Sequence, residues 1–158
     1  MRWYRLAAEQ GLADAQNNIG VKYDNGEGVP ENDVEAVRWF RLAAEQGDAV
    51  GQNNIGVMYQ NGLGVPQNYA EALRFYTLAA EQGSASAQYN LGVLYQNGMG
   101  VPQNYVRAYV WFSVSAAQGN ENARGNRDGA RDKLTPSQLA QAQEQSTRCF
   151  ESDFQDCE

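Results

Sequence analysis

The chain repeats itself every 36 residues: Gly20, Gly56 and Gly92 keep that step, as do Tyr23, Tyr59 and Tyr95, and Pro30, Pro66 and Pro102. An aromatic column (Trp3, Trp39, Phe75, Trp111) and a glycine column (Gly11, Gly47, Gly83, Gly119) carry the period further to both sides. Such a period restricts a chain to a stacked array, because one short unit cannot bury its own apolar face and must share it with a neighbour. The stretch "YDNGEGVP" at 23–30, with its copies "YQNGLGVP" and "YQNGMGVP", is therefore punctuation. A phosphate-cradling glycine loop needs a strand before it and a Lys-Ser/Thr after it, and this stretch has neither.

Each unit reads as two helices. The first is expected to start near Ala15, Gly51 or Ala87, and Ala15, Ile19 and Tyr23 give it one stripe at i, i+4, i+8. Gly20, Gly56 and Gly92 sit on this helix, where glycine costs roughly 1 kcal/mol against alanine, so their recurrence implies close helix–helix approach. Asn25-Gly26 stops the helix and Val29-Pro30 forbids its continuation. Asn32, Asn68 and Asn104 are expected to cap the second helix. Glu35 and Glu71 suit a capping box, which Arg107 removes from the third unit. Ala36, Trp39, Phe40, Ala43 and Ala44 give the second helix an apolar stripe wide enough to face two neighbours.

The whole chain is thus expected to form a single repeat domain over 1–158: a half unit at 1–11, full units at 12–47, 48–83 and 84–119, and a degenerate capping unit at 120–158. In the last unit Arg127 and Asp128 replace an apolar residue and a glycine, while Thr135, Pro136 and Gln138 announce a new helix with its own capping box. A polar final unit covers the end of the stack. The half unit at 1–11 also offers a surface for weak self-association.

Composition narrows function by exclusion. A net charge of −7 opposes nucleic acid and anionic membrane surfaces. No apolar run reaches the roughly 20 residues of a membrane span, and "MRWYRLAAEQ" lacks the apolar core of a leader peptide, so any leader is expected to have been removed or trimmed. The chain has no histidine, which removes the commonest general base and metal ligand. The recurring carboxylates stand at helix caps and ends, where the helix dipole favours them. No catalytic residue, cofactor or metal site is expected.

The pattern A-Q-x-N-[IL]-G-V-x-Y-x-N-G-x-G-V-P, followed by A-x-x-[WF]-[FY]-x-L-A-A-E-Q-G, resembles the Sel-1-like repeat family of tetratricopeptide-related proteins. The resemblance covers residues 1 to about 119, and the tail is similar to the family's usual terminal helix pair. It implies an all-α fold, a right-handed α/α superhelical solenoid of antiparallel helix pairs. It also implies an adaptor that binds a protein or peptide partner in a concave groove.

Aligned to the tetratricopeptide pattern, the first helices place Asp14, Asn17, Val21 and Asp24 of the first unit along that groove, followed by Val50, Asn53, Val57 and Gln60, and by Ser86, Tyr89, Val93 and Gln96. The Asn17, Asn53, Tyr89 column stands out, since amides pair with peptide backbone and tyrosine is a frequent hot spot. The aromatic pairs Trp3-Tyr4, Trp39-Phe40, Phe75-Tyr76 and Trp111-Phe112 are expected to be core, with one ring of each reaching the surface. Charge is graded: 12–47 holds seven acids and three bases, 48–83 three and one, and 84–119 only Arg107. Cys149 and Cys157 are too far apart to bond within one straight helix, about 12 Å along the axis, and can close only if the chain turns after Phe150. A paired-cysteine ending is familiar among envelope and secreted relatives, which implies a disulfide and a periplasmic or secreted setting; two free cytosolic thiols are the alternative. Other functions kept open are binding of a small ligand such as a cell-wall fragment, and self-association.

Overall fold

The computed structural model describes residue 6 and residues 8–157. These form eight helices: α1 Ala13–Asn25, α2 Asp33–Glu45, α3 Ala49–Asn61, α4 Tyr69–Glu81, α5 Ala85–Asn97, α6 Tyr105–Ala117, α7 Glu121–Arg131 and α8 Pro136–Glu151. No strand occurs among the described residues. The pair Trp3-Tyr4 and most of the expected half unit at 1–11, with its self-association surface, lie outside them. The chain divides into two compact units, 1–75 and 76–158, with the division inside α4.

In the N-terminal unit, α2 carries the core. Trp39 packs with Ala8, Ala15 and Ile19 on one side. Ala36, Val37, Phe40 and Ala44 pack with Ile55, Met58 and Phe75 on the other. The wide stripe of α2 thus serves two neighbours. Trp39, Phe40 and Phe75 are all buried, as are Tyr76, Trp111 and Phe112 in the C-terminal unit. Neither ring of a described pair reaches the surface; on α2 the stripe is covered from both sides.

Two local details differ from the sequence reading. The first helices begin two residues early, at Ala13, Ala49 and Ala85. The reason is visible in two of them: Asp48 accepts from the Gly51 N–H at 2.8 Å and Ser84 from the Ala87 N–H at 3.4 Å, so the caps lie three residues upstream of the expected starts. The capping boxes of the second helices are half made. Asn32 and Asn68 accept from the Glu35 and Glu71 N–H groups, but those glutamates face Arg38 and Arg74 on the next turn. Thr135 and Gln138 do close a full box at the start of α8.

The recurring turn is a clasp. Gly26, Gly62 and Gly98 take positive φ at the ends of α1, α3 and α5. The N–H groups of Asn32, Asn68 and Asn104 then donate back to the carbonyls of Tyr23, Tyr59 and Tyr95, each at 2.8 Å. Gly64 also packs directly on the Asp33 carbonyl at the start of α2, leaving no room for a side chain. Two of the helical glycines meet the expectation of close approach: a Cβ on Gly20 or on Gly92 would lie 2.5 Å from the ring of Phe40 or Phe112.

In the C-terminal unit, α5 and α6 repeat this packing around Leu91, Leu94, Val110, Phe112 and Val114. The Ser115 hydroxyl donates to the Ala85 carbonyl at 2.7 Å. α7 buries only Ala123 and Ala130, and α8 packs on α6. After α8 the chain turns through Asp153 and Phe154, both at positive φ, and Cys157 bonds to Cys149. The turned tail seats Phe154 beside Gly83, and Gln155 donates to the Glu81 carbonyl at 2.9 Å.

Candidate interaction face

The first helices present their non-core face differently at each position. In the N-terminal unit, Asp14 and Val50 are exposed, Val50 by 54%, whereas Val21, Asp24, Asn53, Val57 and Gln60 are half-buried. In the C-terminal unit, Ser86 is exposed and Tyr89, Val93 and Gln96 are half-buried. The 14, 50, 86 column therefore changes from acid to valine to serine on open surface.

The Asn17, Asn53, Tyr89 column has a second occupation. Asn17 is only 9% exposed, and its amide oxygen accepts from Asn54 at 2.9 Å. Tyr89 accepts at its hydroxyl from Asn126 at 3.3 Å and leans on Phe112. Asn53 donates to Asn54 at 3.4 Å. Asn17 and Tyr89 thus tie one first helix to the next, and Asn17 has little surface left to offer a partner.

A further polar column, unread in the sequence analysis, lies behind this face. Gln16, Gln52 and Gln88 are buried and donate to the carbonyls of Ala8, Ala44 and Ala80. Gln46 and Gln118 in turn donate to Gln16 and Gln88 at 2.7 and 2.6 Å. Each amide adds a second donor to an end-of-helix carbonyl that already accepts from the Gly11, Gly47 or Gly83 N–H. The signal was in the sequence, a glutamine unchanged at each 36-residue step.

Electrostatics at the face are acidic in the first unit. Partial burial, then the neighbouring Asp33 and Glu31, raise the carboxyl of Asp24 above its ordinary value. Burial likewise raises the phenol of Tyr76, which stays protonated at neutral pH. The variable turn slot pairs Glu27 with Lys22 at 3.6 Å, leaves Leu63 39% exposed and half-buries Met99. Among the described residues, no group of three or more Cys, Asp or Glu stands where it would hold a metal ion.

Helix pairs that share cores through one wide stripe, tied by buried amides along the stack, define an all-α solenoid. The chain belongs to the Sel1 repeat family, whose model matches residues 1–12, 13–48, 49–84 and 85–120. Two solved bacterial structures are similar. A Sel1 repeat protein from Oxalobacter formigenes is 40% identical with a TM-score of 0.70, over 75% of this chain and 49% of that one. The protein c5321, a protective antigen present in uropathogenic Escherichia coli strains displaying an SLR fold, is 31% identical with a TM-score of 0.74, over 97% of this chain and 42% of that one. The chain thus spans less than half the length of these solved relatives. No curated protein matches it. Sel1 repeats generally act as protein–protein interaction scaffolds rather than enzymes. The bonded cysteine pair fits an oxidising compartment, and no described helix is long and apolar enough to cross a membrane.

Proposed function

We propose that the chain is a non-enzymatic adaptor that binds a peptide or protein partner on the groove face of its first helices. The observation that carries this reading is the contrast between repeated core and varied surface. Gly20 and Gly92, the capping asparagines and the buried glutamines recur unchanged, while the exposed column Asp14, Val50, Ser86 differs at every step. A scaffold of this kind specifies its ligand through such positions. Asp24, Val57 and Gln60 in the N-terminal unit, and Val93 and Gln96 in the C-terminal unit, are the further first-helix positions assigned to partner binding. The partner is expected to bring basic groups to the N-terminal repeats, where acids outnumber bases seven to three. The setting is the periplasm or the cell exterior, where the Cys149–Cys157 bond persists.

Photo-crosslinking tests the location. A photoreactive residue placed at Val50 should capture the partner from a bacterial envelope extract. The same residue at Val34, 63% exposed on a second helix, should not. Capture at Val34 alone would remove the first-helix face as the docking surface.

A further inference from the structure

The glycine column Gly11, Gly47, Gly83 and Gly119 takes positive φ where one helix turns into the next. A Cβ added at Gly11, Gly47 or Gly119 would meet nothing within 4 Å. Gly83 alone of the four is covered: the same atom would lie 3.1 Å from the Phe154 ring of the C-terminal tail. The next tail residue makes a second contact, because the Gln155 carboxamide donates to the Glu81 carbonyl at 2.9 Å. Phe154 also stands edge-on to Phe150, with ring centroids 5.6 Å apart, which steadies it over the turn.

The turn at Gly47 is the same turn without its occupant. Residues 43–47 and 79–83 are identical, Ala-Ala-Glu-Gln-Gly. Their glycines take φ of 86° and 84°. In one turn the Ala43 carbonyl accepts from Gln46 and Asp48 at 3.1 and 3.2 Å. In the other the Ala79 carbonyl accepts from Gln82 and Ser84 at 3.2 and 3.0 Å. Gly47 is exposed, and no described residue donates to the Glu45 carbonyl, one of the helix-end carbonyls that lack a partner within the helix. A ring seat and an acceptor thus stand open at Gly47 in the arrangement that the tail fills at Gly83. One neighbour differs, since Asp48 stands where Ser84 does.

We propose that the α2–α3 turn at residues 45–47 docks a partner segment in which a phenylalanine is followed by a glutamine within a tight turn. The ring covers Gly47, and the carboxamide donates to the Glu45 carbonyl. Asp48 sets the flanks of that segment. It would repel acids such as Asp153 and Asp156 of the tail, so the partner's flanking residues are neutral or basic. The tail of a second copy fits poorly for that reason, and it is already engaged at its own Gly83. Asp14, Val50 and Ser86 take no part, so this docking does not rest on the first-helix face.

Backbone-amide NMR on the isotope-labelled full chain tests this. The probe is the disulfide-closed peptide of residues 149–157 carrying Glu151→Gln, Asp153→Asn and Asp156→Asn. The control peptide adds Phe154→Ala and Gln155→Ala. The probe should shift Gln46 and Gly47 saturably and leave Gly83 unmoved, and the control should bind at least about tenfold more weakly. A chain that itself carries Phe154→Ala and Gln155→Ala frees the second seat, and there the probe should shift Gly47 and Gly83 together. No saturable shift at Gly47, equal binding by the control, or a response at only one of the two glycines in the opened chain would each overturn the proposal. So would shifts at Gly47 on raising the concentration of the natural chain alone, which would assign the seat to a second copy.

Discussion

Glycine takes opposite roles at two points of the C-terminal unit. At Gly92 a Cβ would sit 2.5 Å from the buried ring of Phe112, so Gly92→Ala must push apart two packed helices. Overpacking of this sort costs about 1–3 kcal/mol, more than the roughly 1 kcal/mol that alanine returns in helix propensity. At Gly125, in the middle of α7, nothing lies within 4 Å of the added atom. Gly125→Ala should therefore stabilise by about 0.5–1 kcal/mol. Urea denaturation of the two variants should give shifts of opposite sign. Asp24 offers a pH-dependent case. Its carboxyl is raised in the folded state, so the fold holds the proton more tightly than the unfolded chain does. Asp24 therefore weakens the fold above its raised pKa, and this penalty fades as pH falls to 3.8, its unfolded value. Asp24→Asn should raise the melting temperature at neutral pH, with an advantage that shrinks on acidification. An advantage that grew on acidification would contradict the cause assigned.

Among helices, boundaries rest on caps more than on apolar stripes. Asp48 holds the first free N–H groups of α3 with a charged oxygen at 2.8 Å, and Ser84 does so for α5 with a hydroxyl at 3.4 Å. Replacement by alanine should cost about 1 kcal/mol at Asp48, less at Ser84, as read by thermal unfolding. These caps explain which parts of the fold could be read in advance. The second helices were legible because Asn32, Asn68 and Asn104 recur and a proline precedes each by two residues. The first-helix starts were not, because Leu12, Asp48 and Ser84 occupy one position with three chemistries. The half-made capping boxes were hidden for another reason. Glu35 and Glu71 choose between a cap N–H and an arginine one turn on, and residue spacing allows both. The candidate face shows the same limit. The repeat register identified which column varies, but Asn17 and Tyr89 also answer to Asn54 and Asn126, partners some 37 residues away. Only packing reveals that competition.

At the scale of the molecule, repetition fixes a scaffold and leaves recognition to a few exposed positions. The buried glutamines and the glycine contacts hold the repeats together, and the cysteine bond secures the tail through which Gln155 reaches back to Glu81. Against that constant frame the acids thin out along the sequence, and the column at 14, 50 and 86 changes at every step. The claim that this column selects the partner is tested most directly by a pull-down from bacterial envelope extract. The natural chain is compared with a Asp14→Lys, Val50→Lys, Ser86→Lys triple variant. All three sites are exposed, so the variant should melt at nearly the same temperature. The account predicts that partner recovery falls at least about tenfold. Equal recovery by both proteins, with unchanged melting, would contradict it.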